Sequence, residues 1–339
     1  MSVSKNSIRQ FALHSLLLLF LLQIAKPVHA CDACSCFFGI TPYDNQSHIG
    51  LIYRYRAFSG YESLVMNSDF LPDGYPKNGN GNTIQHNDHN SQAKSKNDYE
   101  IYSTLQINAR YFLSQRFELN AQIPYRFNSQ KYGNNKSSVK GIGDISLLVA
   151  YHIIKKINPD KMQHRLIGGA GIKLPTGNYN SVQNEFRIDP MLQPGTGTLD
   201  YFIYANYITA VNRFGLNDNV SYRINTTNAY EERMANAVTV NGSLFAKFHS
   251  GNLNHSFIPK VICYYEYSNG MYMNKEQMPG SEMNVLLIGP QLDYFYKNIM
   301  LYCNFQLPVY ENQNPDYLSN AGSWSAGVIF NFKQTKFAF

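Results

Sequence analysis

Charged residues are scarce in this chain of 339 residues: Asp, Glu, Lys and Arg make up 15% of it, below the roughly one quarter that is usual in soluble domains. Trp occurs once and Cys five times. The mean hydropathy of −0.33 excludes a membrane protein built as a bundle of apolar helices. The formal net charge of +6 is modest and belongs partly to the N-terminus, so no nucleic-acid partner is implied.

Aromatic and neutral polar residues take the place of the missing charge. The chain has 26 Tyr and 21 Phe, together with many Asn, Gln and Ser. A surface that is poor in charge and rich in Tyr and Phe suits a protein wall that faces lipid on one side and water on the other.

The only long apolar run lies near the N-terminus, in residues 11–24. Lys5 and Arg9 precede it, and Val28-His29-Ala30 follows it with the small-residue pattern of a cleavage site. The run is short for a transmembrane anchor, so residues 1–30 are predicted to be a cleaved export signal. The mature chain is then expected to have no transmembrane helix.

The rest of the chain contains segments in which apolar and polar residues alternate, the period of two that is typical of β-strands. In one of them, Ile145, Leu147 and Val149 alternate with Ser146 and Leu148. Twelve such strands are predicted. They lie at about 48–59, 98–113, 116–128, two within 140–177, 199–211, 215–225, 234–248, 255–267, 282–296, 299–310 and 322–332.

The connections distinguish a membrane barrel from a soluble sandwich. Those after the odd-numbered strands are medium to long, and those after the even-numbered strands are short. Bacterial outer-membrane barrels show this asymmetry together with an even strand number, whereas soluble sandwiches usually have shorter strands. The predicted fold is therefore all-β: a transmembrane antiparallel up-and-down β-barrel of about 12 strands over residues 48–339, placed in the bacterial outer membrane. Outer-membrane lipid and the barrel-insertion machinery are the expected partners.

The end of the sequence fits the same prediction. Its last residue is Phe339, after an alternating aromatic strand. This resembles the C-terminal signal that hands outer-membrane proteins to the insertion machinery. Because the last clear strand ends near Phe332, that residue is an alternative bearer of the signal.

If the apolar rows face lipid, the polar rows face the lumen, because charges cannot face hydrocarbon cheaply. The predicted lumen-lining residues are Arg54, Arg56, Glu100, Arg110, Glu118, Arg126, Asp144, Arg165, Lys173, Arg223, Lys247, Lys260 and Glu266, with Asp200 and Asp293 beside them. Two interpretations stay open: a transverse field that orients polar solutes in a pore, and a salt-bridged plug that fills a narrow barrel. In a pore, the surplus of basic groups would favour anionic solutes.

Three cysteines lie within six residues directly after the predicted cleavage point. Cys31, Cys34 and Cys36 belong to a predicted N-terminal periplasmic segment, residues 31–47. They could bind a soft metal such as Cu or Zn, form a disulfide in the oxidising periplasm, or carry a lipid on Cys31. The other two, Cys263 and Cys303, are interpreted as small residues of the barrel wall.

Two further clusters bear on a metal site. His86 and His89 lie three residues apart in a long polar stretch, and four methionines lie close together between Met271 and Met283. Both patterns are more typical of solvated loops. No nucleophile–His–Asp set, paired-carboxylate site or phosphate-binding loop stands out, so no enzymatic activity is predicted.

Several short motifs occur in an order that resembles one family of bacterial proteins, the phenol meta-pathway family of outer-membrane transporters. The residues are Gly141-Ile142-Gly143-Asp144, Leu174-Pro175-Thr176-Gly177, Gly195-Thr196-Gly197-Thr198 with Asp200-Tyr201, and Gly289-Pro290-Gln291. The resemblance covers most of the chain from about residue 45. It implies a barrel that takes up hydrophobic or aromatic compounds.

The motifs also have a structural interpretation. The glycines of the first motif would let the chain enter the sheet after a loop, where Asp144 can accept hydrogen bonds from backbone donors. Pro175 and Gly177 would end a strand at the outer rim.

The predicted function is an outer-membrane channel or transporter for small solutes of a hydrophobic or aromatic kind. Two alternatives remain: a metal-linked barrel that uses the cysteine cluster, and a structural barrel whose loops carry the function without transport.

Overall fold

The computed structural model describes residues 46–61, 95, 97–157, 162–250, 255–278, 281–312 and 317–333. The predicted signal peptide (residues 1–30), the cysteine cluster, the two histidines of the polar stretch and the terminal Phe339 lie outside these residues. Within the described part of the chain there is no helix, so none there is long and apolar enough to cross a membrane.

Twelve wall strands run through the described residues. They are β1 (Gln46–Tyr61), β2 (Tyr99–Phe112), β3 (Phe117–Tyr132), β4 (Asn135–Ile142 continued by Ile145–Lys156), β5 (Gln163–Leu174), β6 (Asp200–Val211), β7 (Phe214–Ile224), β8 (Ala237–Ala246), β9 (His255–Ser268), β10 (Met283–Tyr296), β11 (Ile299–Glu311) and β12 (Leu318–Lys333). Short two-residue strands form hairpins in the loops, at Val182–Gln183 with Phe186–Arg187 and at Tyr272–Met273 with Glu276–Gln277.

Each wall strand pairs antiparallel with the strands before and after it, and β1 pairs with β12, so the sheet closes on itself. Closure leaves no unpaired edge, which is the condition for a sheet to lie in lipid. The prediction of a twelve-stranded antiparallel barrel is confirmed.

The two faces of the wall differ as the alternation predicts. On β3 the outward row runs from Phe117 to Phe127, and its large apolar side chains are exposed, while Glu118 and Gln122 between them are buried inside. At about 3.4 Å per residue and a tilt of about 40°, this row rises about 26 Å. That height matches the apolar band of about 25 Å in outer-membrane barrels.

The long and short connections lie at opposite ends of the barrel. Chain segments 175–199, 225–236 and 269–282 are at one end, taken as the outer one, and two-residue turns at 212–213 and 297–298 are at the other. One predicted loop is absent: residues 129–139 continue β3 and β4 as a hairpin that turns at residues 133–134.

The first family motif makes a β-bulge in β4. Tyr125 of β3 opposes Ile142, and Gln122 opposes Ser146, so β4 has one more residue than β3 in this interval. The extra residue shifts the inward face of β4 by one position. Asp144 therefore points inward, in the middle of a long strand.

One charged residue departs from the alternation. Asp218 lies on the outward row of β7 but is only 9% exposed. Its neighbour across the strand pair is Gly242, where a side chain would begin 2.9 Å from the Asp218 carboxylate. Because Gly242 has no side chain, a hollow remains beside it on the lipid side, and the Asp218 carboxylate lies in this hollow.

Candidate channel lumen

Most of the charged residues that were predicted to line the lumen lie on the inward face of the barrel wall. Arg54, Arg56, Glu100, Arg110, Glu118, Arg126, Arg165, Lys173, Arg223, Lys260 and Glu266 lie on the inward rows of wall strands, and Asp144 lies inward at the bulge. Lys247 follows the periplasmic end of β8 instead, where its backbone N–H donates to the carbonyl of Arg213.

Several of these charges form ion pairs. Arg56 lies 2.6 Å from Glu266, which joins β1 to β9 across the lumen. Lys260 lies 2.6 Å from Asp293 on the next strand. The interpretation of the interior as a salt-bridged plug predicts such contacts, and the two ion pairs connect different strands inside the barrel.

At the periplasmic end, a second buried cluster surrounds Glu118. Its carboxylate lies 3.1 Å from the ring of His152 and 3.8 Å from the guanidinium of Arg110, and it accepts a hydrogen bond from Asn120. His152 also contacts the ring of Phe112. This cluster joins β2, β3 and β4, which explains why a buried histidine lies beside a short turn.

Apolar side chains occupy much of the rest of the inward face. One cluster lies in the periplasmic half and contains Ile52, Phe245, Ile258, Phe295, Met300, Tyr302 and Ile329. Another follows β4, β5 and β6 and contains Leu148, Ala150, Ile167, Phe202, Tyr204 and Ile208. The polar space is therefore confined to the middle of the barrel.

A cavity of about 130 Å³ lies in that middle region. Its charged lining is Arg54, Arg56, Arg126, Lys173, Arg223 and Asp144. Its neutral polar lining includes Gln106, Gln122, Asn241, Asn304, Gln306, Ser323 and Ser325. Two of these cations, Arg56 and Lys173, are paired with Glu266 and Asp200 behind the lining, so five cationic groups face three carboxylates and the cavity keeps a positive character. The Nε of Arg126 has no hydrogen-bond partner among the described residues.

The chain segment between β5 and β6 closes the outer mouth above this cavity. Residues 175–199, here called the mouth loop, turn inward so that Leu192 is completely buried. The Nδ2 of Asn128 on β3 donates to the carbonyl of Leu192 at 2.9 Å. Leu192 and Ile188 belong to an apolar cluster whose other buried members are Phe58, Tyr61, Tyr102, Val139, Ala235, Ala237, Tyr264, Met283, Val285, Leu287 and Leu318.

Three of the four family motifs meet at the base of the mouth loop. Asp144 Oδ1 accepts a hydrogen bond from the N–H of Gly177 at 3.0 Å. Its Oδ2 accepts from the N–H and the hydroxyl of Thr196 at 2.9 and 2.8 Å. The first motif therefore binds both ends of the loop, and the prediction that Asp144 accepts hydrogen bonds from backbone donors holds in the structure.

Lys173 and Asp200 complete this arrangement, here called the latch. The ammonium group of Lys173 lies 2.5 Å from Asp200 Oδ2 and 3.5 Å from Asp144 Oδ2, and it donates to the hydroxyl of Thr196 at 2.8 Å. All three charges are buried. A buried cation between two carboxylates with further hydrogen bonds is the condition under which buried ion pairs are tolerated.

Glycines make the latch possible because two backbones touch there. A side chain at Gly195 would begin 2.5 Å from the backbone of Gly177, and one at Gly177 would begin 2.9 Å from that of Gly143. No side chain fits at such distances. Three of the four motifs thus supply one glycine each, Gly143, Gly177 and Gly195, to this close approach of backbones.

A second contact holds the mouth loop near its top. Arg187 makes a forked pair with Glu232 in the next outer loop, with Nη2 2.8 Å from Oε2, and also donates to the carbonyl of Tyr179. Its guanidinium lies 4.1 Å from the ring centre of Tyr230. The hydrogen bonds to Glu232 raise the pKa of Arg187 above its usual value.

The sequence pattern does not place the mouth loop, Arg187 or Glu232 in the site, because nothing in the composition of residues 178–197 shows that they fold inward. The sequence signal that could have predicted this contact is a pair of glycines, Gly177 and Gly195, in the two motifs that flank the mouth loop. Close backbone approach is a recognised use of glycine.

Among the described residues, no group of three or more His, Cys, Asp or Glu is placed to hold a metal ion. Met271 and Met283 are both buried, and a guanidinium N–H of Arg56 lies 3.3 Å from the sulfur of Met283. Cys263 and Cys303 are free thiols on the outward rows of β9 and β11, so they are wall residues. The predicted Cu or Zn site at Cys31, Cys34 and Cys36 stays a prediction.

The closed sheet, the apolar outward belt and the polar interior define the class: this is a channel-like β-barrel of the bacterial outer membrane. The family described as "Putative MetA-pathway of phenol degradation" matches residues 74–326, and the chain belongs to it. No curated protein matches the sequence.

One solved structure shows the same fold at low identity, and two others are more distantly similar. An outer-membrane channel from Pseudomonas putida F1 is 13% identical with a TM-score of 0.55, covering 87% of this chain and all of that one. The β domain of the Bordetella autotransporter BrkA is 10% identical with a TM-score of 0.46, covering 85% of this chain and all of that one. The transport unit of the autotransporter AIDA-I from Escherichia coli has 10% identity and a TM-score of 0.42, covering 88% and 94%.

Proposed function

We propose that this protein is a channel for small anionic solutes with an apolar or aromatic body, and that the mouth loop controls entry. The observation that carries the proposal is the central cavity, which five cationic side chains and one carboxylate line. A positive, partly enclosed space concentrates anions and repels cations.

The apolar part of the proposal rests on what lies above the cavity. Tyr102, Tyr264 and Leu287 belong both to the apolar cluster that includes Leu192 of the mouth loop and to the cavity lining. A solute that enters from outside would pass aromatic and aliphatic side chains before it meets the cations. This order suits a molecule with an apolar body and one acidic group, and the description of the family points to phenolic compounds.

Conductance in planar lipid bilayers tests the proposal. The intact chain is compared with a variant in which a Gly-Ser pair replaces residues 180–193 of the mouth loop. Under a KCl gradient, the reversal potential of the shortened variant is expected to show anion preference, and benzoate is expected to permeate better than benzylammonium. Cation preference in the shortened variant would overturn the proposal.

A single substitution locates the selectivity. Arg126→Gln removes a cavity cation and should move the reversal potential towards zero, because the local potential falls with each charge removed. The matched control is Arg233→Gln in an outer loop, where the guanidinium stacks 4.2 Å over the ring of Tyr272. An equal shift in both variants would mean that surface charge, rather than the cavity, sets the preference.

A structural barrel without transport is the second candidate, since the mouth loop fills the outer mouth and apolar clusters fill much of the interior. The same bilayer experiment separates the two. Absence of any conductance in the shortened variant would favour the structural barrel.

A further inference from the structure

Three lysines lie together on the outward face of the β3–β4 hairpin, near the outer end of the barrel. Lys131 of β3 directly opposes Lys136 of β4, and Lys140 opposes Phe127. Among the described wall strands, no other has a lysine or arginine on its outward row at the outer end. The positive charge at this rim is therefore local.

The pairing of Lys131 with Lys136 is unfavourable by itself, because like charges directly opposite each other in an antiparallel pair repel. Asp98 offsets it in part, since it lies near enough to interact with Lys131. The Asp98 carboxylate, however, is buried and already accepts hydrogen bonds from the N–H of Gly133 at 2.7 Å and the hydroxyl of Tyr61 at 2.8 Å. The lysine group therefore has a surplus of positive charge.

The height of this group relative to the membrane identifies what it meets. The apolar outward row of β3 ends at Phe127, whose ring lies 4.9 Å from that of Tyr125, and Ile142 on β4 is 55% exposed beside them. The outward positions that follow on β3 are Ser129 and Lys131. Lys131 and Lys136 thus lie directly above the hydrocarbon belt, at the level of lipid headgroups, and Lys140 lies at the upper edge of the belt beside Phe127.

We propose that the outward face of the β3–β4 hairpin is a binding site for the phosphorylated glycolipid of the outer leaflet. The ammonium groups of Lys131, Lys136 and Lys140 would bind its phosphates, and an acyl chain would lie against Phe127 and Ile142. Lysine clusters next to a membrane bind anionic headgroups in this way, and lysine is a common point-charge partner for phosphate. The occupant is a lipid, because the anion-binding groups continue without a break into an apolar surface.

Native mass spectrometry of the intact barrel tests this inference. The probes are diphosphoryl lipid A, the same lipid without phosphates, and phosphatidylethanolamine. The variant is the triple substitution Lys131→Gln, Lys136→Gln and Lys140→Gln. It is expected to bind diphosphoryl lipid A at least about tenfold more weakly than the wild type, and the wild type should prefer this lipid to both others.

Two controls make the result specific. The same three positions changed to arginine keep the charge and should restore binding. Changing Lys155, Lys156 and Lys297 to glutamine removes equal charge at the periplasmic end and should alter binding less than twofold. The inference is overturned if the outer and periplasmic triple variants bind alike, if lipid A binds equally with and without its phosphates, or if millimolar inorganic phosphate displaces the lipid completely.

Discussion

The latch makes the sharpest prediction, through the substitution Asp144→Asn. The asparagine keeps the shape of the side chain, but its amide nitrogen replaces an acceptor with a donor. Whichever way it turns, it can no longer accept all the hydrogen bonds that Gly177 and Thr196 donate. It also removes one of the two carboxylates beside Lys173. The mouth loop should then leave the outer mouth more often.

The size of the effect follows from the contacts. Hydrogen bonds to a charged group contribute about 1.5–3 kcal/mol each, and Asp144 accepts three from the mouth loop. Asparagine retains part of this stabilisation, so the closed position of the mouth loop is expected to lose about 3 kcal/mol of stability. At about 1.4 kcal/mol for each factor of ten, the open population should rise about a hundredfold. The loop would still be held by Arg187 and Glu232 at its top.

Single-channel recording in planar bilayers measures this directly as the open probability of one barrel. A cysteine placed at Leu192, which is completely buried in the closed mouth, gives a second readout through its rate of labelling by a thiol reagent. The background variant has serine at all five native cysteines, Cys31, Cys34, Cys36, Cys263 and Cys303. Both the open probability and the labelling rate should increase in the Asp144→Asn variant.

The matched control is Asp218→Asn, the same chemical change on the outward face of β7. It should leave the open probability and the labelling rate unchanged. The reasoning is refuted if Asp144→Asn opens no more often than the wild type while both proteins show the same resistance to unfolding by heat in detergent, because the latch would then not hold the loop.

Three further predictions follow from other contacts. Gly195→Ala places a carbon about 2.5 Å from the backbone of Gly177, so the loop ends should separate and the open probability should rise. Arg187→Lys loses the forked pair with Glu232, and a protease added outside should cut the mouth loop faster. Asp218→Asn removes a charge from the lipid face and should raise the free energy of unfolding from vesicles by about 1 kcal/mol, measured by urea titration.

Each of these has its own control. Gly133→Ala tests a glycine whose φ of 57° makes alanine strained although nothing lies near its side-chain position. Because it lies in the turn of the β3–β4 hairpin and outside the mouth loop, it should not open the channel. Arg233→Lys changes an arginine outside the mouth loop and should leave the cutting rate as it was. For Asp218, equal stability of Asp218→Asn and the wild type would show that the hollow beside Gly242 already hydrates or neutralises the carboxylate.

The alternation of residues predicted the barrel wall correctly because lipid and water impose opposite demands on successive side chains. Outward positions such as Leu147 and Val149 had to be apolar, and inward positions such as Glu118 had to be polar or paired. The same logic missed Asp218, whose shelter depends on a glycine of the neighbouring strand that lies 24 positions away in the sequence.

The latch was harder to predict than the wall. The sequence marked the three motifs that form the latch, and the turn and acceptor chemistry of Gly143 and Asp144 was predictable from residue type alone. Their meeting point was not, because residues 144, 177 and 196 come together only when β4 and β5 pair and the mouth loop folds inward.

The sequence by itself determined the class of this protein: a scarce-charge, aromatic-rich chain with strict alternation has one stable arrangement in the outer membrane, a closed barrel. It also determined which face of each strand meets lipid, because that depends only on local period. The tertiary structure alone decided which charges pair, that the mouth loop enters the lumen, and that a small cationic cavity remains beneath it. Those features depend on contacts between residues far apart in the chain, such as Arg56 and Glu266, which no local pattern records.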